Sequence, residues 1–200
     1  MALRNQSIIA LHFLTQGSAV NKLYVAIPFF ALLLQGCGVT MARYEPNYQN
    51  VQQLKQNAPL QPVRETQVQA DSGQGFLMVR MNPISSPSGS VPLHIQAAIN
   101  DELSRAGLLS PQADRQLQVQ LIKSQLTAGA GTGHGELAAR FTLRQGDRVL
   151  YETTKDVARE WDSSFFGPIA IPAAANNYNP MLQALLKSLY DDPKFIQALK

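Results

Sequence analysis

Gln116–Leu126 reads QLQVQLIKSQL, and a short way on Glu136–Leu143 reads ELAARFTL. In the first stretch Leu117, Val119 and Leu121 occupy every second position, with glutamines between them. In the second, Leu137, Ala139, Phe141 and Leu143 do the same. A period of two puts all the apolar side chains on one face of a strand, so each stretch is a strand with one buried face. Gln145-Gly146-Asp147 is a turn, and Val149, Tyr151 and Thr153 open a third strand running to about Trp161. Connections this short make the three strands an antiparallel meander, which must bury its apolar face against something else.

Helical spacing supplies the cover. Ser90 is placed to N-cap a helix with Pro92 in its first turn, and Ile95, Ala98, Ile99, Leu103 and Ala106 form a stripe closed by Gly107. Met181, Leu182, Leu185, Leu186 and Leu189 form a second stripe, on a helix entered through Asn179-Pro180. Asp192-Pro193 then starts a last short turn carrying Phe195, Ile196 and Leu199. Ahead of all these, Phe76–Met81 (FLMVRM) reads as a strand stopped by Asn82-Pro83. The expected fold is α+β: an antiparallel sheet of about four strands, with two helices packed on one face.

Upstream the chain changes character. From Gly38 to about Gly75 it is rich in Gln and Asn, and Pro46, Pro59 and Pro62 interrupt it. Such a segment is expected to be a tether, spanning about 35 Å as a free coil. The competing reading packs part of it on the domain. The expected organisation is a leader over 1–36, a tether over 37–75 and a folded domain over 76–200.

The leader carries an address. Leu23–Leu34 (LYVAIPFFALLL) is an unbroken apolar run behind Lys22, and it ends at Gln35-Gly36-Cys37. A membrane-crossing helix needs ~20 apolar residues, so this run fits the apolar core of a secretory signal instead. Leu34-Gln35-Gly36-Cys37 is similar to a bacterial lipobox: a small residue precedes the cysteine that is acylated and becomes the new N-terminus. Cys37 is the single cysteine of the 200 residues, and it is the expected lipidation site. A buried free cysteine is the plainer alternative. A start at Val20 rather than Met1 would give the signal an ordinary length. The lipobox resemblance carries a sorting rule of enteric bacteria, in which an aspartate after the cysteine favours inner-membrane retention, and Gly38 in that place implies the outer membrane with the domain facing the periplasm.

Charge and composition narrow the function. The chain is 45% apolar and 16% charged, which suits a folded domain rather than a disordered one. Its 17 basic and 14 acidic residues give a net charge of +3. Removing Arg4 and Lys22 with the leader leaves one more basic than acidic side chain, too even a balance for nucleic-acid binding. No metal site or cofactor is expected, since one cysteine and three scattered histidines offer no ligand set.

Three stretches invite chemistry. Gly129–Gly135 (GAGTGHG) leads into a strand rather than a helix and lacks a following Lys-Ser/Thr, so a hairpin loop is favoured over a phosphate cradle. His94 and His134 have no acid at a ligand spacing and are expected to be exposed or capping. Ser163 and Ser164 lack a nucleophile elbow, and no catalytic residue is assigned. Trp161, Phe165, Phe166, Ile169 and Ile171, bounded by Pro168 and Pro172, form a dense apolar stretch. It either seats the following helix or stands exposed as a surface for a partner or for lipid.

Several of these motifs occur together elsewhere. Asn50-Val51-Gln52-Gln53-Leu54-Lys55, Asn82-Pro83-Ile84, Ala106-Gly107-Leu108, Ala139-Arg140-Phe141 and the run from Trp161 to Pro172 resemble a family of uncharacterised proteobacterial envelope lipoproteins. In layout the chain is also similar, more loosely, to YajG-type lipoproteins. Some members of the first family carry a UDP-N-acetylglucosamine acyltransferase label. That enzyme type is built from hexapeptide repeats, which this chain lacks. The resemblance implies a cell-envelope lipoprotein, and the scarcity of clustered acids and bases favours a non-catalytic accessory or binding module for another envelope component, using its sheet edge or the Trp161–Pro172 stretch. An enzyme or ligand binder acting on cell-wall sugar or lipid is the alternative.

Overall fold

A computed structural model describes residues 38–200. The leader and Cys37 lie outside the described residues. The meander is as its alternation requires: β5 (Arg115–Ala128), β6 (Thr132–Gln145) and β7 (Arg148–Asp162) pair antiparallel in sequence order. Leu117, Val119, Leu121, Leu137, Ala139, Phe141 and Leu143 are all buried on its inner face. The α+β class holds, with sheet and helices in two layers.

The fourth strand of this sheet is β2 (Val63–Ala70), paired parallel to β5 in the order β2-β5-β6-β7. It comes from the segment expected to be a tether. β1 (Val39–Thr40) and the helix α1 (Tyr48–Gln56) come from it too. Its apolar residues are few but individually placed: Met41, Tyr44, Val51, Leu54 and Val63 are all buried. The tether expectation is therefore corrected for 38–70, because burial of particular side chains outweighs a polar average. The Phe76 strand is also reassigned. β3 (Leu77–Val79) turns at Arg80-Met81 into β4 (Asn82–Ser85), and β1 adds to β4 in parallel, making a separate three-stranded sheet.

Two long helices cover the four-stranded sheet. α2 (Val91–Arg105) starts at Ser90, whose hydroxyl accepts from the Leu93 N–H. It ends with Leu108 N–H bonded to the Leu103 carbonyl and Gly107 at φ +77, a Schellman stop that needs glycine's freedom. α3 (Gly167–Tyr190) begins well before the expected Asn179-Pro180 and takes Pro172 and Pro180 into its interior. Each interior proline costs about 3 kcal/mol in an exposed helix. Here one face from Ala170 through Ala174, Tyr178, Met181, Leu185 and Leu189 is buried, and that packing overrides the local penalty. α4 (Pro193–Leu199) closes the chain with Phe195, Ile196 and Leu199 in the core.

β6 explains the glycine run. A Cβ on Gly133 would lie 2.1 Å from Trp161 Nε1, and one on Gly135 2.5 Å from Met181 Sδ. These two glycines are seats for large neighbours within a strand, and only residues 129–131 form the hairpin loop.

Candidate functional site

Two places in the domain gather unusual chemistry. The first is the end where β1 begins. In the parallel β1–β4 register Val39 lies opposite Ile84, so Gly38 falls beside Pro83, and the Arg80-Met81 turn is just beyond. A Cβ on Gly38 would be 3.9 Å from the Pro83 carbonyl oxygen. Arg80 and Met81 both adopt positive φ (50° and 63°), conformations that cost non-glycine residues about 1 kcal/mol or more each.

Arg80 compensates with its guanidinium. Nε donates to the Ala128 carbonyl at 2.8 Å and Nη2 to Gly129 and Ser164 at 2.9 and 2.8 Å. Nη1 donates to Phe165 at 2.8 Å. One side chain thus ties the β3–β4 turn, the β5–β6 hairpin and the loop before α3 together. Around it Met81, Phe165, Phe166 and Ile169 stand in solvent, at 89, 85, 60 and 59% exposure.

The apolar stretch singled out in the sequence therefore divides. Phe165, Phe166 and Ile169 point outward, whereas Ile171 is half-buried against the core. The Trp161 indole lies over Gly133, with its N–H buried and unpartnered. Ser163 and Ser164 belong to the connecting loop. Sequence reading missed Arg80 and Met81, and the only signal for them was a strand interrupted by a lone arginine.

The second place is an interior polar cluster. Glu102 is fully buried on α2. Its Oε1 accepts from the Tyr44 hydroxyl at 2.6 Å, the Asn47 backbone N–H at 2.9 Å and Asn50 Nδ2 at 3.2 Å. Burial pushes its carboxyl up, and these hydrogen bonds only partly pull it back. Burial and the nearby carboxylate push the Tyr44 hydroxyl up as well. The Tyr190 hydroxyl is raised in the same way, although no hydrogen bond of ordinary geometry reaches it.

Next to this cluster His94 is buried, contrary to expectation, because it sits on the apolar stripe of α2. Burial lowers its pKa below the ordinary 6.5, against a weaker opposing hydrogen bond to Asn179. Asn179 Nδ2 donates to the Ala42 and Arg43 carbonyls, so its Oδ1 faces the ring at 2.7 Å, and His94 carries its proton on Nε2. Glu102, through Tyr44, Asn47 and Asn50, and Asn179, through the Ala42 and Arg43 carbonyls, fasten the 42–50 segment to the two helices, and Tyr44 and His94 also line a cavity with Arg43, Pro87, Ser88 and Asp101.

His134, by contrast, is partly exposed on β6, with Nε2 3.4 Å from Glu136 and Nδ1 3.8 Å from Glu160. Glu136 lies two residues on along the same strand, and the β6–β7 pairing brings Glu160 opposite His134. Lys123 also pairs with Glu136, and together with His134 it lowers that carboxyl. On the outer face of the sheet, Gln67, Gln69, Gln118, Gln120, Arg140 and Glu152 line an open groove.

No protein-family model matches the sequence, and no curated protein does either. Solved structures do. Protein XCC0632 from Xanthomonas campestris, of family DUF330, superposes with a TM-score of 0.55 at 15% identity, covering 79% of this chain and 95% of that one. This likeness establishes a shared fold. Looser likenesses are a "putative lipoprotein" from Caulobacter crescentus CB15 (TM-score 0.44, 14% identity, 75% of this chain and 96% of that one) and a minor lipoprotein from Acinetobacter baumannii (0.36, 12%, 70% and 92%).

Proposed function

We propose that this chain is a cell-envelope lipoprotein, anchored through acyl chains on Cys37, and that its folded domain is a non-catalytic accessory module for another envelope component. The observation that carries the reading is a coincidence of sequence and fold. The lipobox cysteine stands two residues ahead of β1, the first element of the domain. The lipoprotein resemblance points the same way. β7 offers the accessory role a surface: it is a long edge strand whose outer backbone groups can pair with an added strand. In this reading the outer membrane holds the anchor and the domain faces the periplasm.

Labelling with radioactive palmitate tests the anchor. Wild-type protein should take up label and float with outer membranes on a sucrose gradient, and Cys37→Ser should accumulate as unlabelled precursor. A labelled Cys37→Ser protein would overturn the reading.

The sheet's outer groove favours a second reading, a binder of cell-wall sugar. Glutamine amides both donate and accept, which is what sugar hydroxyls require. Co-sedimentation with purified peptidoglycan, lost in Gln118→Ala/Gln120→Ala, would favour it.

A further inference from the structure

We propose that the exposed apolar end formed by Met81, Phe165, Phe166 and Ile169 rests on the lipid bilayer. The inference rests on the anchoring of Cys37 argued above, and it assigns an occupant to a surface that anchoring alone leaves open.

Leash length comes first. Gly38 is the sole residue between Cys37 and β1, and Val39 and Thr40 are already paired to β4. One extended residue reaches about 3.5 Å. The domain therefore meets its membrane at the end where β1 starts.

The parallel β1–β4 register decides which end that is. The chain leaves β1 toward Pro83 and the Arg80-Met81 turn, and not toward Ser85. Arg80 then binds the carbonyls of Ser164 and Phe165, which fixes the exposed phenylalanines at that same end. The opposite end of the sheet carries Arg115, Arg148, Lys194 and Lys200. Fourteen residues of β5 separate the two ends, about 45 Å of strand. The basic end, which anionic headgroups would attract, is thus far from the anchor.

Chemistry agrees with an apolar contact. Arg80, the cation at the centre of the patch, spends its guanidinium on four backbone carbonyls. Glu160 and Asp162 end β7 nearby, so headgroup attraction is not what holds this face. Phenylalanine and methionine side chains at the level of the acyl boundary need no charged partner. A protein partner would have to insert itself between the patch and a bilayer one residue away.

The test uses the full-length acylated protein in vesicles of phosphatidylethanolamine and phosphatidylglycerol, with and without brominated acyl chains. Phe165→Trp and Phe166→Trp place a fluorophore in the patch, and Val149→Trp places one at the far end. Palmitate labelling and vesicle flotation are scored for every variant. We expect brominated lipid to quench both patch tryptophans strongly and Val149→Trp no more than the native Trp161 background, with the pattern unchanged by added salt. Acylated protein that floats but shows no patch quenching overturns this inference alone. Crosslinking of residue 165 to an envelope protein, with no quenching, overturns it in favour of a protein occupant. Protein that carries no acyl chain and does not float overturns the anchoring reading and this inference with it.

Discussion

Replacing Glu102 with leucine removes the one acceptor shared by the Tyr44 hydroxyl, the Asn47 N–H and Asn50 Nδ2. Tyr44 and Asn50 are buried, so the Tyr44 hydroxyl loses its acceptor and the Asn50 amide keeps only the Gln183 carbonyl, with no water to make up either loss, at about 1–3 kcal/mol each. Relief of a buried charge offsets part of this, and the expected loss is about 3 kcal/mol. In a domain of this size that lowers the melting temperature by roughly 6–12 °C. Glu102→Gln separates acceptor from charge. Its amide oxygen still serves all three donors, and its N–H gains the otherwise unpartnered Tyr190 hydroxyl. Stability at neutral pH should therefore stay within about 1 kcal/mol of wild type.

The pH dependence has a definite sign. The folded-state pKa of Glu102 is raised above 4.5, so its contribution is complete below that value and is lost as pH rises through the folded pKa. The slope is at most about 1.4 kcal/mol per pH unit. Urea midpoints followed by circular dichroism from pH 4 to 8 should show the glutamine variant gaining on wild type as pH rises. A leucine variant as stable as wild type, or a glutamine difference flat with pH, would refute the reasoning.

The remaining predictions concern residues outside that carboxylate. His94→Gln should flatten the acid limb of the stability profile. A histidine whose pKa is lowered in the fold contributes fully above 6.5 and loses that contribution as pH falls, the opposite sense to Glu102. Gly133→Ala should cost about 1–3 kcal/mol by displacing the indole above it. Since Trp161 is the only tryptophan, a red-shifted emission should report that displacement directly. Phe165→Ala and Phe166→Ala should change the urea midpoint little, about 0.5 kcal/mol, whereas the fully buried Phe141→Ala should lose about 3–5 kcal/mol. Equal losses at Phe165 and Phe141 would mean that the loop before α3 is packed inward.

The meander was legible because its period runs unbroken from Leu117 to Leu121 and from Leu137 to Leu143, its register shifts falling just after each run, between Leu121 and Lys123 and between Leu143 and Arg144. β2 was not. A register shift between Arg64 and Gln67 breaks its alternation, so its two fully buried residues, Val63 and Thr66, are three apart rather than two. α3 was half legible: its leucine stripe reads as helix, but Pro172 and Pro180 carry a local penalty that only the buried face outweighs. The outward phenylalanines were found as a dense apolar stretch, yet no pattern within that stretch separates Phe165 from Ile171. Arg80 does so, from eighty-odd residues away in sequence, by holding the loop's carbonyls. Glu102 and His94 did leave a signal. Each is a polar residue on the stripe defined by Val91, Ile95, Ala98 and Leu103, where an exposed side chain has no room.

That placement also accounts for how closely the domain follows its proposed anchor. A free coil from Gly38 to Gly75 would let it stand about 35 Å away, and ordering such a segment costs about 1–2 kcal/mol per residue in backbone entropy. The few apolar side chains of 38–56 are a thin counterweight to that cost. Side chains on two helices add to it: Glu102 takes the donors of Tyr44, Asn47 and Asn50, Asn179 reaches the carbonyls of Ala42 and Arg43, and Gln183 reaches that of Glu45. A leucine at position 102 would suit the core of α2 better but leave the Tyr44 hydroxyl and the Asn47 N–H unmet and Asn50 Nδ2 with the Gln183 carbonyl alone. The buried carboxyl instead holds three donors of the 44–50 segment and so keeps that segment packed up to β1, which would leave Gly38 alone between the domain and the anchor proposed at Cys37.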